Sequence, residues 1–372
     1  MERCYPSASD AQIDEFMTEV VDRDRCWGAF DNDRVVSTLS IVPFEIYFWG
    51  RTVSMGGIRG VATPPEFRRR GYAADLLIKA LEVQRGEGSV FSFLAPSNQG
   101  YYGRYGWELG FHSKRYTFDA GDLRSFYDER VPYAILDETC FDAIASVYES
   151  FAKSYNGPLR RERKDWAKRM RADGGRTFCY GCFDETNALQ GYVIYGLEGK
   201  CMDIHELGYR NPAARKAALG FAWLLRGQIE EVVWTAPMSD DTDHIPGTHP
   251  KRVEVLPGMM VRVVDVQRLL SRYPYSPSLD VSCVFHVQDP HAAWNTEPFR
   301  ITVHNGRAQL ENSSAQDVDF ACSMQVFSQI LIGRTSVTQA AALDLVDARD
   351  RGKLDAIARL FPTRPTFIND SF

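Results

Sequence analysis

The stretch Gly60-Val-Ala-Thr-Pro-Pro-Glu-Phe-Arg-Arg-Arg-Gly-Tyr-Ala-Ala74 decides how this chain is read. An extended segment, Thr52 to Ala62, stops where Pro64-Pro65 forbids further ladder hydrogen bonds. A helical pattern follows over Arg68 to Gln84, with Ala73, Leu76, Leu77, Ala80 and Leu81 on one side. The first turn of a helix leaves its amides without intrahelical acceptors. Here the loop offers those of Arg69, Arg70, Gly71, Tyr72 and Ala73, with the positive end of the helix dipole behind them. Gly71 lets backbone approach a ligand closely, small Ala73 keeps the way clear, and Arg68, Arg69 and Arg70 add positive charge. Such a junction suits a pyrophosphate. Taken alone, the stretch also reads as a helix with a basic first turn and no ligand.

Outward from this junction, strand and helix periods alternate. Cys26 to Phe30, Arg34 to Val42 and Phe44 to Trp49 read as strands, and a turn at Gly50-Arg51 leads into Thr52 to Ala62. Ser89 to Ala95 is a short apolar run suited to a buried strand. Upstream, Ser9 and Gln12 have capping-box spacing ahead of a stripe of Ile13, Phe16, Met17 and Val20. After Phe118 the order returns. Helices over Cys140 to Phe151 and Arg163 to Met170 precede strands over Arg176 to Phe183, Gln190 to Leu197 and Cys201 to Leu207. A helix over Pro212 to Leu225 and a strand over Glu230 to Ala236 complete an internal duplication. Beyond a turn-rich stretch from Asp240 to Pro250, Leu279, Val281, Cys283, Phe285 and Val287 alternate as a half-buried strand, followed by Phe299 to His304. Helices are expected over Ser323 to Gly333, Thr338 to Ala348 and Leu354 to Phe361. The apolar, aromatic Pro365 to Phe372 predicts a docked tail. The fold class is mixed α/β.

The frame Arg68-x-x-Gly71-x-Ala73 after a strand resembles the coenzyme A motif of GNAT-type N-acetyltransferases. In that family the next strand, here Ser89 to Ala95, splays from the first and leads to a helix bearing a tyrosine. Tyr101-Tyr-Gly-Arg-Tyr-Gly-Trp107 resembles that signature, with Tyr102 at the position of the general acid. With Met259-Met-Val-Arg-Val-Val-Asp265 and the aromatic tail, the whole chain is similar to the enhanced-intracellular-survival (Eis-like) branch. The resemblance implies an active GNAT domain over residues 1–125 and a degenerate second one over 126–265. A sterol-carrier-protein-like domain over 266–372 would then end in the active site. Acetyl-CoA would be the cosubstrate, and the acceptor a primary amine of a cationic molecule: aminoglycoside-like, polyamine, or lysine and peptide. Arg68, Arg69, Arg70, Gly71, Tyr72 and Ala73 would hold the diphosphate, and the edge at Val61, Ala62 and Thr63 the pantetheine arm. Ser97 would lie near the thiol, its other reading being a helix cap. Tyr102 would protonate the leaving thiolate, and the terminal carboxylate of Phe372 would act as base or as anchor for the ammonium. The branch often assembles as hexamers. The second helix opens with Asn211-Pro-Ala-Ala-Arg-Lys216, outside the frame, so one cofactor site is expected.

Composition bounds the alternatives. The length of 372 residues predicts two or three domains. Against 49 acidic side chains stand 43 Lys and Arg, a net charge of −6 that disfavours nucleic acid and anionic lipid and suits a cationic partner. Arg160-Arg-Glu-Arg-Lys-Asp165 with Lys168-Arg169 therefore reads as a solvated helix face. No apolar run approaches the roughly 20 residues of a membrane span, and Met1 to Ser9 carries no export signal, so a cytoplasmic protein with reduced thiols is expected. Cys179, Cys182, Cys201 and His205 have a superficial zinc spacing, yet strand residues three apart face opposite sides, and no metal is expected. A lipid or sterol carrier built on the third segment is the alternative function. Trp27, Phe30 and Phe44 are candidates for the acceptor pocket, with a core role as their default reading.

Overall fold

Arg34 to Phe48 forms one unbroken strand in the computed structural model, which describes residues 23–171, 177–348 and 351–372. The helix expected at Ser9 to Val20 lies outside the described residues. Pro43 does not interrupt that strand, because β1 pairs with it only as far as Ser40 and the segment at 157–160 takes over from Glu45 onward. The proline thus falls in the gap between two edge partners, where no donor is required.

In chain order the first third holds β1 (Cys26–Asp31), β2 (Arg34–Phe48), β3 (Arg51–Ala62), α1 (Tyr72–Gly86), β4 (Phe91–Leu94), α2 (Gln99–Gly103), β5 (Glu108–Leu109) and β6 (His112–Asp119). The middle holds β7 (Tyr133–Ile135), α3 (Phe141–Ala152), α4 (Arg163–Arg171), β8 (Thr177–Phe183), β9 (Leu189–Glu198), β10 (Cys201–Tyr209), α5 (Pro212–Leu224), β11 (Glu231–Pro237), β12 (Arg252–Pro257) and β13 (Met260–Val263). The last third holds α6 (Val266–Arg272), β14 (Asp280–Gln288), β15 (Phe299–His304), β16 (Arg307–Asn312), β17 (Phe320–Ser323), α7 (Met324–Ile332), α8 (Val337–Ala342), β18 (Val346–Ala348) and α9 (Arg351–Leu360). The helix expected over Thr338 to Ala348 is therefore wrong in its second half. It stops at Ala342, Asp344 turns the chain at φ 55°, and Val346–Ala348 pairs antiparallel with β17 as an edge strand.

Three sheets result, with strand orders β1-β2-β3-β4-β13-β5, β12-β6-β11-β10-β9-β8-β7 and β16-β15-β14-β17-β18. Two strands cross the boundaries expected from sequence. β6, from the first 125 residues, lies in the second sheet between β12 and β11, and β13, from before residue 265, lies in the first sheet between β4 and β5. The largest core is shared. Phe91, Phe93 and Val261 of the first sheet pack in one cluster with Phe285 and Phe299 of the third sheet and with Phe327 and Phe361 from its helical layer. The helix α7 lies between the two sheets, against β13 and β5 of the first and β14 and β17 of the third, while α1 covers the other face of the first sheet with Leu76, Leu77, Ala80 and Leu81.

Candidate active site

β3 and β4 run parallel from Met55 opposite Phe91 to Ile58 opposite Leu94, where β4 ends and β3 continues to Ala62 against β2. A bulge in the β2–β3 ladder between Thr38 and Ser40, with Gly60 at φ 62°, turns β3 away and opens a wedge between the two strands. Past Pro64 a short 3-10 turn, Pro65–Phe67, precedes α1. The helix opens at Tyr72 rather than at the expected Arg68, because Arg69 (φ 64°) and Gly71 (φ 91°) take left-handed conformations that no helix accommodates. Gly71 is the N-cap and no side chain caps the helix. The first intrahelical bond is donated by Asp75 N–H to the Gly71 carbonyl at 3.0 Å. The amides of Tyr72 and Ala73 therefore have no intrahelical acceptor. Arg68, Arg69, Arg70 and Gly71 are exposed at this mouth, and Tyr72 and Ala73 half-buried. Arg68 Nε donates to the Thr63 carbonyl at 3.0 Å, and Arg70 lies 5.4 Å over the Phe67 ring, so both brace the loop.

Tyr102 sits on α2, 6% exposed, in one cluster with Ile58 and Leu94, the last β3–β4 pair before the wedge. The cap of α2 is Asn98, whose side chain accepts from Tyr101 N–H at 2.9 Å, so the capping reading of Ser97 is corrected. Ser97 instead lies close enough to the Tyr102 hydroxyl to act on its titration. Burial pushes the phenol above its ordinary range and Ser97 partly draws it back. The far end of α2 is held by the last third of the chain: Gln325 Nε2 donates to the Gly103 carbonyl at 2.7 Å, and His291 Nε2 lies 2.9 Å from the Arg104 carbonyl.

Phe372 reaches the opposite face of the first sheet. Its ring lies 4.7 Å from Phe44 and packs against the core shared with the third sheet, whereas Tyr102 belongs to the α1 side. The chain end fits because Gly57 has no side chain: a Cβ there would stand 2.7 Å from carbons of both Phe372 and Phe44. Of the pocket candidates, Phe44 meets the tail and Trp27 packs with the Tyr102 cluster. Phe30 is 62% exposed on the edge strand and forms neither wall nor core.

The cysteine spacing resolves as strand geometry requires. Cys179 belongs to the cluster of α3 and Trp166, and Cys182 to that of α5 on the other face of the sheet. Burial pushes the Cys182 thiol up to about 11. Among the described residues no group of three His, Cys, Asp or Glu side chains could hold a metal. The basic run is not a uniformly solvated helix face. Arg160 pairs with Glu45 at the surface and α4 starts at Arg163, but the Arg161 side chain is only 3% exposed.

The comparisons with known proteins agree with this architecture. An acetyltransferase (GNAT) domain matches residues 1–110, a second one residues 157–263, and a sterol carrier protein domain residues 266–369. Two proteins of Streptomyces avermitilis, both called uncharacterized N-acetyltransferase, are 24% and 23% identical over 96% of this chain, covering 92% and 90% of their own lengths. Among solved structures, a probable N-acyltransferase of Enterococcus faecalis superposes with a TM-score of 0.91 at 22% identity, over 100% of this chain and 95% of that one. Eis1 of Mycobacterium abscessus does so with a TM-score of 0.80 at 19% identity, over 100% and 95%. The wedge, the uncapped helix and the two matched domains define a GNAT-type acyl-CoA N-acyltransferase. The chain thus carries two GNAT acetyltransferase domains followed by a sterol carrier protein domain, and it shares its overall fold with Eis1.

Proposed function

We propose that the chain transfers an acetyl group from acetyl-CoA to a primary amine of a cationic acceptor, using the first wedge alone. The observation that carries this reading is the uncapped N-terminus of α1, entered through Gly71 at φ 91°, beside strands that part at Ile58 and Leu94 with Tyr102 packed at the point of parting. The amides of Tyr72 and Ala73, with Arg68, Arg69 and Arg70 around them, hold the diphosphate. Val61 and Ala62 at the end of β3, with Thr63 just beyond it, run beside the pantetheine arm. The cosubstrate supplies the acetyl group as an activated thioester. Tyr102, kept neutral by burial and with Ser97 close to its hydroxyl, donates its proton to the departing sulfur. The carboxylate of Phe372, on the opposite face of the sheet, attracts the acceptor's ammonium or takes its proton. An acid on one side of the reacting carbonyl and an anion on the other suit an amine that arrives charged and must leave as an amide. Cationic acceptors are favoured by the net charge of −6.

Thiol release from acetyl-CoA across polyamines, aminoglycosides and lysyl peptides tests the reading, with turnover expected on at least one class. Tyr102→Phe should lower kcat about 100-fold while leaving acetyl-CoA affinity within about twofold. Unchanged kcat would remove Tyr102 from the reaction.

A further inference from the structure

The second domain repeats the strand geometry of the first, wedge included. β10 and β11 run parallel from Cys201 opposite Glu231 to Ile204 opposite Trp234 and pair no further, although β10 continues to Tyr209. The β9–β10 ladder is bulged between Ile204 and Glu206, as β2–β3 is bulged between Thr38 and Ser40. In both domains a bulge turns the inner strand away where its pairing with the parallel partner ends. Only the first wedge leads to a helix entered through a left-handed glycine. In the second, Asn211 caps the helix itself, its side chain accepting from Ala214 N–H at 2.9 Å, so no uncapped terminus faces the wedge.

The second wedge is filled from within the chain. The space at its opening, about 10 Å³, is bounded by Leu207 of β10, Trp234 and Thr235 of β11, and Phe367, Asn369 and Asp370 of the tail. That leaves room for about one water molecule. Asn369 Nδ2 donates to the carbonyl of the bulge residue His205 at 2.7 Å. Asp370 accepts from Arg161 Nε at 2.8 Å, and the same guanidinium holds Glu206, the residue after the bulge, through two bonds of 2.8 Å. Glu206 also accepts from Tyr192 at 2.5 Å and pairs with Arg169 at 2.9 Å. Arg161 lies 4.1 and 4.7 Å from the ring centroids of Tyr148 and Trp166. Two cations and two anions balance in a largely buried site, so each member depends on the others. Upstream, Asn156 pairs through its backbone with Pro365 and Phe367.

We infer that the wedge of the degenerate domain is a receptor for the chain's own tail. Arg161, Asn369 and Asp370 are positioning residues that set Phe372 against Gly57 and Phe44 in the first domain. The second domain would then retain the wedge of its active sibling with an internal peptide segment in place of an acyl carrier. The effect on catalysis rests on the reading that the Phe372 end takes part in the reaction, while the seating of the tail does not.

Asp370→Asn and Asn369→Ala test this in the full chain, with Asp370→Glu as the conservative control. Because Asp370→Asn also removes one charge from the Arg161 cluster, the melting profile of each variant is recorded beside the seating assay, and Asn369→Ala, which leaves all four charges in place, should keep it to within a few degrees. Arg161→Lys serves as a second probe from the receptor side. Seating is read without activity, as the rate at which carboxypeptidase Y releases Phe372. Asp370→Asn should raise that rate about tenfold or more, the equivalent of loosening the tail by about 1.4 kcal/mol, and Asp370→Glu should restore most of it. In thiol-release kinetics, Asp370→Asn should lower kcat at least about fivefold with acetyl-CoA KM within about twofold, a split that general destabilisation would not produce. Unchanged Phe372 release in Asp370→Asn and Asn369→Ala overturns the receptor. Deletion of Phe372 separates the two ideas. If that deletion abolishes turnover while Asp370→Asn releases Phe372 at the parent rate, the receptor fails and the catalytic reading stands. If it leaves turnover intact while Asp370→Asn frees the tail, the receptor stands and the catalytic role of the chain end falls.

Discussion

At the scale of the residue, the site depends on places where a side chain is missing or held neutral. Gly57 is one: Gly57→Ala should displace the Phe372 and Phe44 rings, whose carbons would stand 2.7 Å from the new methyl group. The expected outcome is a kcat loss of about tenfold or more with unchanged acetyl-CoA affinity, read by steady-state kinetics beside calorimetric titration. Gly71→Val should give the reverse pattern, weakening acetyl-CoA binding about tenfold or more, because φ 91° is strained for a β-branched residue and the helix entry must move. For Tyr102 the sign with pH is fixed by its role. A proton donor works while protonated, and burial raises its titration above the ordinary value near 10, so kcat should hold through pH 9 and fall only on the alkaline side. Tyr102→Phe should abolish that limb. The strand–loop–helix junction at Gly71 with its basic loop was legible from spacing, because a turn, a cap and a strand end constrain sequence within a few positions. Tyr102, by contrast, was picked out only by resemblance to a family signature. Gly57 was not legible, since what it admits is a ring more than three hundred positions away.

The elements show where pattern reading works and where it stops. β15 and the edges of β8, β9, β10 and α5 fell within a residue or two of their expected ends, since each carries a full period of apolar positions. Val346–Ala348 was missed because three residues continuing a helical pattern reveal nothing of the strand β17 waiting beside them. Arg161 was misjudged within a run of charges because its burial is decided by β10 and the tail, not by its neighbours. The same cluster yields a prediction about acid. Burial alone would raise the Glu206 carboxyl, but the guanidiniums of Arg161 and Arg169 and the bonds from Arg161 and Tyr192 outweigh it and bring it down to about 2. A folded-state value below the unfolded one, about 4.3, contributes stability at neutral pH that is lost as the pH falls from about 4.3 toward 2. Glu206→Gln should therefore cost about 3–5 kcal/mol near pH 7 in denaturant titrations and flatten the acid dependence between those limits.

Over the whole molecule, the first and third domains share one core and cannot be separated without exposing it. Ending the chain after Asp265 would uncover Phe91, Phe93 and Val261 on one face of the first sheet. It would also remove Gln325 and His291 from the end of the tyrosine-bearing helix. The expected outcome is an insoluble or aggregating product, checked by size-exclusion chromatography of the truncated chain against the full one. Conversely, scanning calorimetry of the full chain should show the first and third domains melting in one transition, because one apolar cluster joins them and the buried Arg262–Asp289 pair and the Val263–Ser328 hydrogen bond cross the same seam. Asn156 joins the parts from the polar side: it accepts from Trp49 N–H at 2.7 Å and donates to the Ile332 carbonyl at 2.8 Å, with no exposure to solvent. The three-part division was legible in the sequence, but the exchange of β6 and β13 between sheets was not, because a strand's period does not say which sheet will take it.

That exchange has a consequence for synthesis. β4 emerges from the ribosome at Phe91–Leu94, yet its neighbour on the far side, Met260–Val263, is still to be made. At elongation rates of about 5–20 residues per second, the apolar ridge of the N-terminal sheet stands half-clothed for roughly ten to thirty seconds. Nascent-chain handling, not only final stability, is thereby written into the strand order, and hydrophobic-binding chaperones should crosslink to stalled chains ending between residues 150 and 260 more than to chains released at full length.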